Sequence, residues 1–130
     1  MPTILFLCVK NSARSQMAEG LARAIAPPGY RFLSAGSDPG VINPLAIQAL
    51  AEQHIDISEY RAKGLAGIAV DQVDTIVTLC AEEVCPVVPG NVRRLHWLLA
   101  DPKDIESFRA VREELRRRLP ALWDPPSGVQ

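Results

Sequence analysis

Cys8 and Arg14 are separated by five residues, Val9, Lys10, Asn11, Ser12 and Ala13, and are followed at once by Ser15. A thiol and a guanidinium at this spacing suit one kind of chemistry, attack by sulfur on a tetrahedral oxyanion. A short loop wrapped over the start of a helix aims the backbone N–H groups of residues 8–14 at one point, and the positive end of the helix dipole adds to their pull on an anion. The same field favours the thiolate of Cys8, the form that attacks. Arg14 offers a planar fork to two oxygens of the guest. The Ser15 hydroxyl is placed to donate to the sulfur, Lys10 adds a cation, and Asn11 is a residue type that tolerates the left-handed backbone a tight loop needs. The plainer alternative is a buried cysteine ending a strand, with Ser12 or Ser15 capping an ordinary helix. The glycine-rich G-x-x-x-x-G-K-[ST] pattern of nucleotide loops is absent.

Positioning such a loop takes a strand before it and a helix after it. Thr3 to Cys8 is an apolar run that reads as a strand buried on both faces. From Arg14 to Ala26 the period turns helical, with Met17, Leu21, Ala24 and Ile25 inward and Glu19 and Arg23 outward. Pro27-Pro28-Gly29 stops that helix, and Arg31 to Ala35 reads as a second strand. Asn43-Pro44 opens a second helix, with Ile47, Leu50 and Ala51 inward. Val73–Leu79 and Asn91–Trp97 are further strands. A last helix is expected from about Pro102 to Leu119, striped by Ile105, Phe108, Val111, Leu115 and Leu119. Its outer face offers Glu113–Arg117 and Glu114–Arg118 pairs. Alternation of strands and helices predicts an α/β fold, a parallel sheet in three layers with helices on both faces. Ligands then bind beyond the carboxyl ends of the strands, where Cys8 and Cys80 both fall. One domain over residues 1–130 is expected, with a frayed tail from about 124.

The 130 residues carry 14 Lys and Arg against 15 Asp and Glu, a balance that lends no support to a nucleic-acid or membrane-surface partner. The amino terminus lacks the basic, long apolar pattern of a signal peptide. Three cysteines in such a chain point to a reducing cytoplasm.

The stretch Cys8 to Gly20, reading CVKNSARSQMAEG, resembles the low-molecular-weight tyrosine phosphatase fold, and more closely the thioredoxin-coupled arsenate reductases built on it. The resemblance continues through Ser34-Ala35-Gly36, Asn43-Pro44, Ile55-Asp56-Ile57-Ser58, Val77-Thr78-Leu79-Cys80, Cys85-Pro86, His96-Trp97 and Asp101-Pro102. It implies a four-stranded sheet of order 2-1-3-4. It also implies a triple-cysteine relay: Cys8 attacks arsenate with the help of Arg14, Cys80 attacks Cys8 and releases arsenite, and Cys85 attacks Cys80. Thioredoxin, as external reductant, then reduces the redox disulfide Cys80–Cys85. A glutaredoxin- or mycothiol-type reductant stays open. Phosphate and sulfate are the expected analogues of arsenate. Asp101 matches the acid of the fold, which protonates the departing oxygen; it also reads as the N-cap of the last helix.

Geometry permits the relay. Neighbouring strands lie about 4.8 Å apart, and a disulfide needs Cα atoms within about 4.4–6.8 Å. In a continuous helix Cys80 and Cys85 would diverge by about 140°, so their bonding predicts that the segment between them refolds. Pro86 already disfavours helix at Cys85, and Glu82 and Glu83 argue for an exposed segment. A zinc site of Cys80, Cys85 and His96 has the wrong spacing and lacks a fourth ligand. Some relatives hold potassium with an asparagine, a glutamate, a serine and an aspartate. Asn11, Glu19 and Ser34 match the first three, whereas Lys63 stands in the aspartate's place and can pair with Glu19 instead. The expectation is a monomer with no bound cofactor or metal. Two alternatives remain: a phosphatase using Cys8, Arg14 and Asp101 alone, and a non-catalytic oxyanion-binding module.

Overall fold

The computed structural model describes residues 2–80 and 92–123. Its centre is a four-stranded sheet of β1 (Thr3–Cys8), β2 (Arg31–Gly36), β3 (Thr75–Thr78) and β4 (Arg93–His96), in the order β2-β1-β3-β4. Every pairing is parallel. β1 is central, and all six of its residues are buried, as an apolar strand covered on both faces must be.

The two faces separate by the strand period of two. Ile4, Phe6, Phe32 and Val77 meet α1 (Arg14–Ile25), α2 (Pro44–Ala51) and α3 (Ile105–Arg118) in one core. Leu5, Leu7, Ala35 and Ile76 face the other way. There Leu65 and Val70, from the short 3-10 helices Leu65–Gly67 and Val70–Gln72, cover them. Helical cover therefore lies on both faces, as α-helix on one and 3-10 turns on the other. Each fully buried Leu or Phe, such as Phe6, Leu50 and Phe108, contributes about 1.5–3 kcal/mol through burial. No helix among the described residues is long and apolar enough to cross a membrane.

Local departures from the expected pattern have physical causes. In α1 it is Ala22 that is buried and Ala24 that is exposed. Glu19, expected to face outward, is 3% exposed; its charge is answered by Arg23 at 2.7 Å and Lys63 at 3.7 Å, and it accepts the Ser34 hydroxyl at 2.5 Å. Ala51 is exposed, whereas Leu50 is buried as expected and Ala46 and Ala49 are buried with it. α2 starts as expected, with Asn43 accepting from the Leu45 N–H at 2.9 Å and Pro44 at the first helical position.

α3 begins three residues later than the sequence suggests. Its N-cap is Asp104, whose carboxylate accepts from Ser107 N at 2.8 Å while the Ser107 hydroxyl faces the Asp104 backbone. This capping box holds the Asp104 carboxyl below its usual range, chiefly through the Ser107 backbone donor. Asp101 is therefore not the cap. Along the helix Glu114 pairs with Arg118 at 2.6 Å, but Arg117 also turns to Glu114, and Glu113 pairs with Arg112.

Candidate active site

Cys8 ends β1 and Arg14 begins α1, so the five residues between must turn from sheet to helix. The turn uses Asn11 at φ 52°, in the left-handed region that asparagine tolerates. Four successive carbonyls of this loop are bonded on its outer side. Val9 O accepts from Asp38 N at 2.9 Å, Lys10 O from Gly40 N at 2.9 Å and Ser12 O from Asn43 N at 2.8 Å. Asn11 O accepts from Gln16 Nε2 at 3.2 Å. In a trans peptide the carbonyl and the following N–H point oppositely. The N–H groups of residues 10–13 are thereby turned to the inner side.

The helix start adds to this. Its N-cap is Ala13, with no side-chain cap, so neither Ser12 nor Ser15 closes the helix end. The uncapped first N–H groups are the kind that bind anions. Gly36 permits the close approach of β2 to the loop: a Cβ there would stand 2.4 Å from Val9 O and 2.9 Å from Asn11 N.

The sulfur of Cys8 receives two polar contacts. Asn11 N donates to Sγ at 3.2 Å, and Ser15 Oγ lies 2.8 Å from Sγ. Asn11 Nδ2 donates to Ser15 Oγ at 2.7 Å. The serine oxygen is thus an acceptor from Asn11, and its own hydrogen is left for the sulfur. Both contacts thus direct a hydrogen at the sulfur. Cys8 is a free thiol.

Arg14 is 4% exposed. Its Nη1 donates to Leu99 O at 2.9 Å and to Leu79 O at 3.4 Å, and its Nη2 is 3.8 Å from Asp101 Oδ1. Asp101 is half exposed and also meets Lys103 Nζ at 3.4 Å. Cys8, Lys10, Ser12, Ala13, Arg14 and Asp101 line one cavity of about 60 Å³. Drug-sized ligands take roughly 300–1,000 Å³, so this cavity suits a guest of only a few atoms. Lys10 pairs with Asp38 at 2.6 Å at the exposed rim. A larger groove, about 480 Å³, lies at the opposite ends of the strands beside Tyr30, Arg31 and Phe32; it contains no thiol.

Cys80 follows β3 and is 1% exposed. Leu79 N donates to Leu7 O at 2.9 Å, which continues the ladder between β1 and β3 and brings Cys80 to the side of the Cys8 loop. Cys80 is disulfide-bonded. Cys85 lies outside the described residues, as do Glu82, Glu83 and Pro86. His96 meets Thr78 Oγ1 through Nδ1 at 2.6 Å. Among the described residues no group of three His, Cys, Asp or Glu side chains is gathered to hold a metal ion. The matched potassium positions do not fit a cation: Glu19 already meets the cations of Arg23 and Lys63, and Asn11 Oδ1 already accepts from Lys63 N at 2.7 Å.

Gln16 is the residue that the sequence reading passed over. It is fully buried, and its Nε2 donates to Asn11 Oδ1 at 2.8 Å and to Arg61 O at 2.9 Å. A glutamine inside an amphipathic helix carries no local signal of such a role.

A family model described as low molecular weight phosphotyrosine protein phosphatase matches residues 3–126. Arsenate reductase 2 of Staphylococcus saprophyticus is 41% identical over 126 residues, covering 94% of this chain and 96% of that protein. The arsenate reductase structure from Archaeoglobus fulgidus superposes with a TM-score of 0.83 at 31% identity, covering 92% of this chain and 97% of that one. The thioredoxin-dependent arsenate reductase of Corynebacterium glutamicum gives 0.77 at 34% identity, over 95% of this chain and 60% of that one.

Proposed function

The chain belongs to the low molecular weight phosphotyrosine protein phosphatase family, and from that premise we propose that it reduces arsenate to arsenite through Cys8, Cys80 and Cys85. The observation that carries the reading is a sulfur with two donors aimed at it, in a cavity sized for a few atoms, with a second cysteine two residues beyond the end of the neighbouring strand. The named activities of the relatives support the choice of arsenate.

In the proposed sequence the Cys8 thiolate attacks arsenic(V), and one oxygen departs as water with a proton from Asp101. The inner N–H groups of residues 10–13 and the Arg14 fork hold the remaining oxygens. The Cys80 thiolate then attacks Cys8 Sγ. The electron pair of the S–As bond passes to arsenic, which leaves as arsenite, and a Cys8–Cys80 disulfide remains. Cys85 attacks Cys80 Sγ and frees the Cys8 thiolate, so the oxidation ends as Cys80–Cys85. An external dithiol takes it over by exchange. Thioredoxin is our choice of dithiol, supported by the thioredoxin-dependent relative. We place the reaction in the cytoplasm, where a reducing poise supports the reset, and take the working form to be a monomer that needs neither metal nor bound cofactor.

A phosphatase would use Cys8, Arg14 and Asp101 alone. The test is NADPH oxidation with arsenate, thioredoxin and thioredoxin reductase. Cys80→Ser is expected to abolish steady turnover of arsenate while sparing any hydrolysis of a phosphoester. Wild-type cycling by that variant sinks the relay.

A further inference from the structure

We propose that Gln16 is a positioning residue: it locks Asn11, and through Asn11 the Ser15 hydroxyl, onto the sulfur of Cys8. The inference rests on Cys8 being the nucleophile.

Gln16 is 0% exposed on the first turn of α1. Its Oε1 has no hydrogen-bond partner among the described residues. Burying half an amide unsatisfied is unfavourable, and a leucine or methionine would fill the same volume without that penalty. An amide at this place is explained by its other half.

That half is fully used. Nε2 faces three acceptors: Asn11 Oδ1 at 2.8 Å, Asn11 O at 3.2 Å and Arg61 O at 2.9 Å. All three are carbonyl oxygens, so only the NH2 end of the side chain fits there. The orientation of Gln16 is forced.

The orientation of Asn11 is then forced in turn. Its Oδ1 accepts from Gln16 Nε2 and from Lys63 N at 2.7 Å, so Nδ2 is the end that meets Ser15 Oγ, at 2.7 Å. With that oxygen occupied as acceptor, the serine hydrogen is directed to Cys8 Sγ at 2.8 Å. The grip of Gln16 on Asn11 O also holds a peptide that leads out of the left-handed residue at φ 52°. Asn11 N, on the other side of the same residue, donates to Sγ at 3.2 Å. Both hydrogens on the sulfur depend on Asn11, and Asn11 is clamped from both its backbone and its side chain by one amide. The third bond, to Arg61 O, ties this clamp to the segment 61–63. The position of that segment is thereby coupled to the sulfur, although Gln16 itself does not line the cavity.

The test compares reduced wild type with Gln16→Met and Gln16→Glu. Methionine keeps the volume and removes the donors; glutamate keeps the shape and sets an oxygen against three oxygens. Two readouts avoid any dependence on arsenate turnover. One is the alkylation rate of Cys8 by iodoacetamide in a Cys80→Ser, Cys85→Ser background, taken as the ratio of rates at about pH 7 and about pH 10, where an ordinary cysteine is ionised. The other is the protection of Cys8 by sulfate. In Gln16→Met the ratio is expected to fall roughly tenfold, as one lost hydrogen bond to a charged group would give. Sulfate protection should weaken in parallel, and in Gln16→Glu both effects should be larger. A folded Gln16→Met protein with the wild-type ratio and wild-type sulfate protection overturns the proposal.

Should neither variant fold, the wild-type side-chain amides decide. The Gln16 and Asn11 NH2 protons are expected to exchange slowly with solvent and to shift when sulfate is added. Fast exchange at both overturns the proposal as firmly. A protein that passes these tests but does not turn over arsenate would keep the clamp and lose only the proposed substrate.

Discussion

Two hydrogens converge on one sulfur, from Asn11 N and from Ser15 Oγ, and the account of the site at the residue scale depends on them. A hydrogen bond to a charged group contributes about 1.5–3 kcal/mol, or roughly 10–100-fold in rate. Ser15→Ala is therefore expected to slow the first step of arsenate reduction, followed in a single turnover, by roughly that factor, with little change in melting temperature. An unchanged single-turnover rate would remove the hydroxyl from the proposed mechanism. Lys63 carries a second prediction. Its ammonium stands 3.7 Å from Glu19, which Arg23 also meets, so replacing sodium by potassium should leave the steady-state rate unchanged. A clear rise with potassium would show that a cation displaces the lysine. Residue type alone pointed to Asn11, because few side chains tolerate the left-handed region. It could not point to Gln16 or to the burial of Glu19. The partners that make those positions tenable, Arg61, Lys63 and Ser34, come from other elements of the chain.

At the scale of elements, α2 and α3 are tied by Glu52. It takes a forked contact from Arg109, at 2.6 Å to Nη2, and another from Arg112 Nη1 at 2.7 Å. These hydrogen bonds, that of Arg109 first, hold the Glu52 carboxyl down at about 2 from an ordinary 4.5. A depressed carboxyl stabilises the fold above its unfolded value, and the contribution fades as pH falls from about 4.5 toward about 2. Glu52→Gln should therefore show a shallower loss of melting temperature across that acid window than wild type. Parallel curves would mean that the exposed pair contributes nothing measurable, as many surface pairs do. The start of α3 shows why ends are harder to read than stripes. Phe108, Val111 and Leu115 are buried as their period requires. Asp101 and Asp104 are both plausible caps by type, and the choice depends on Ser107, which closes a capping box only with Asp104. Asp101 is left beside Arg14, where the proposed reaction calls for an acid.

At the scale of the molecule, the order β2-β1-β3-β4 places β1 and β3 side by side, and the proposed relay from Cys8 to Cys80 relies on this adjacency. The parallel sheet was legible in the alternation of apolar runs with helix-period segments, whereas the strand order followed only from the family resemblance. The fate of an electron pair is not legible from topology, and Cys85 lies outside the described residues. The most direct test treats fully reduced protein with an equivalent of arsenate, without thioredoxin, and maps the disulfides by mass after quenching the free thiols. The proposed relay yields arsenite in equal amount, alkylated Cys8, and a bond between Cys80 and Cys85. Three intact thiols and unreduced arsenate would contradict it.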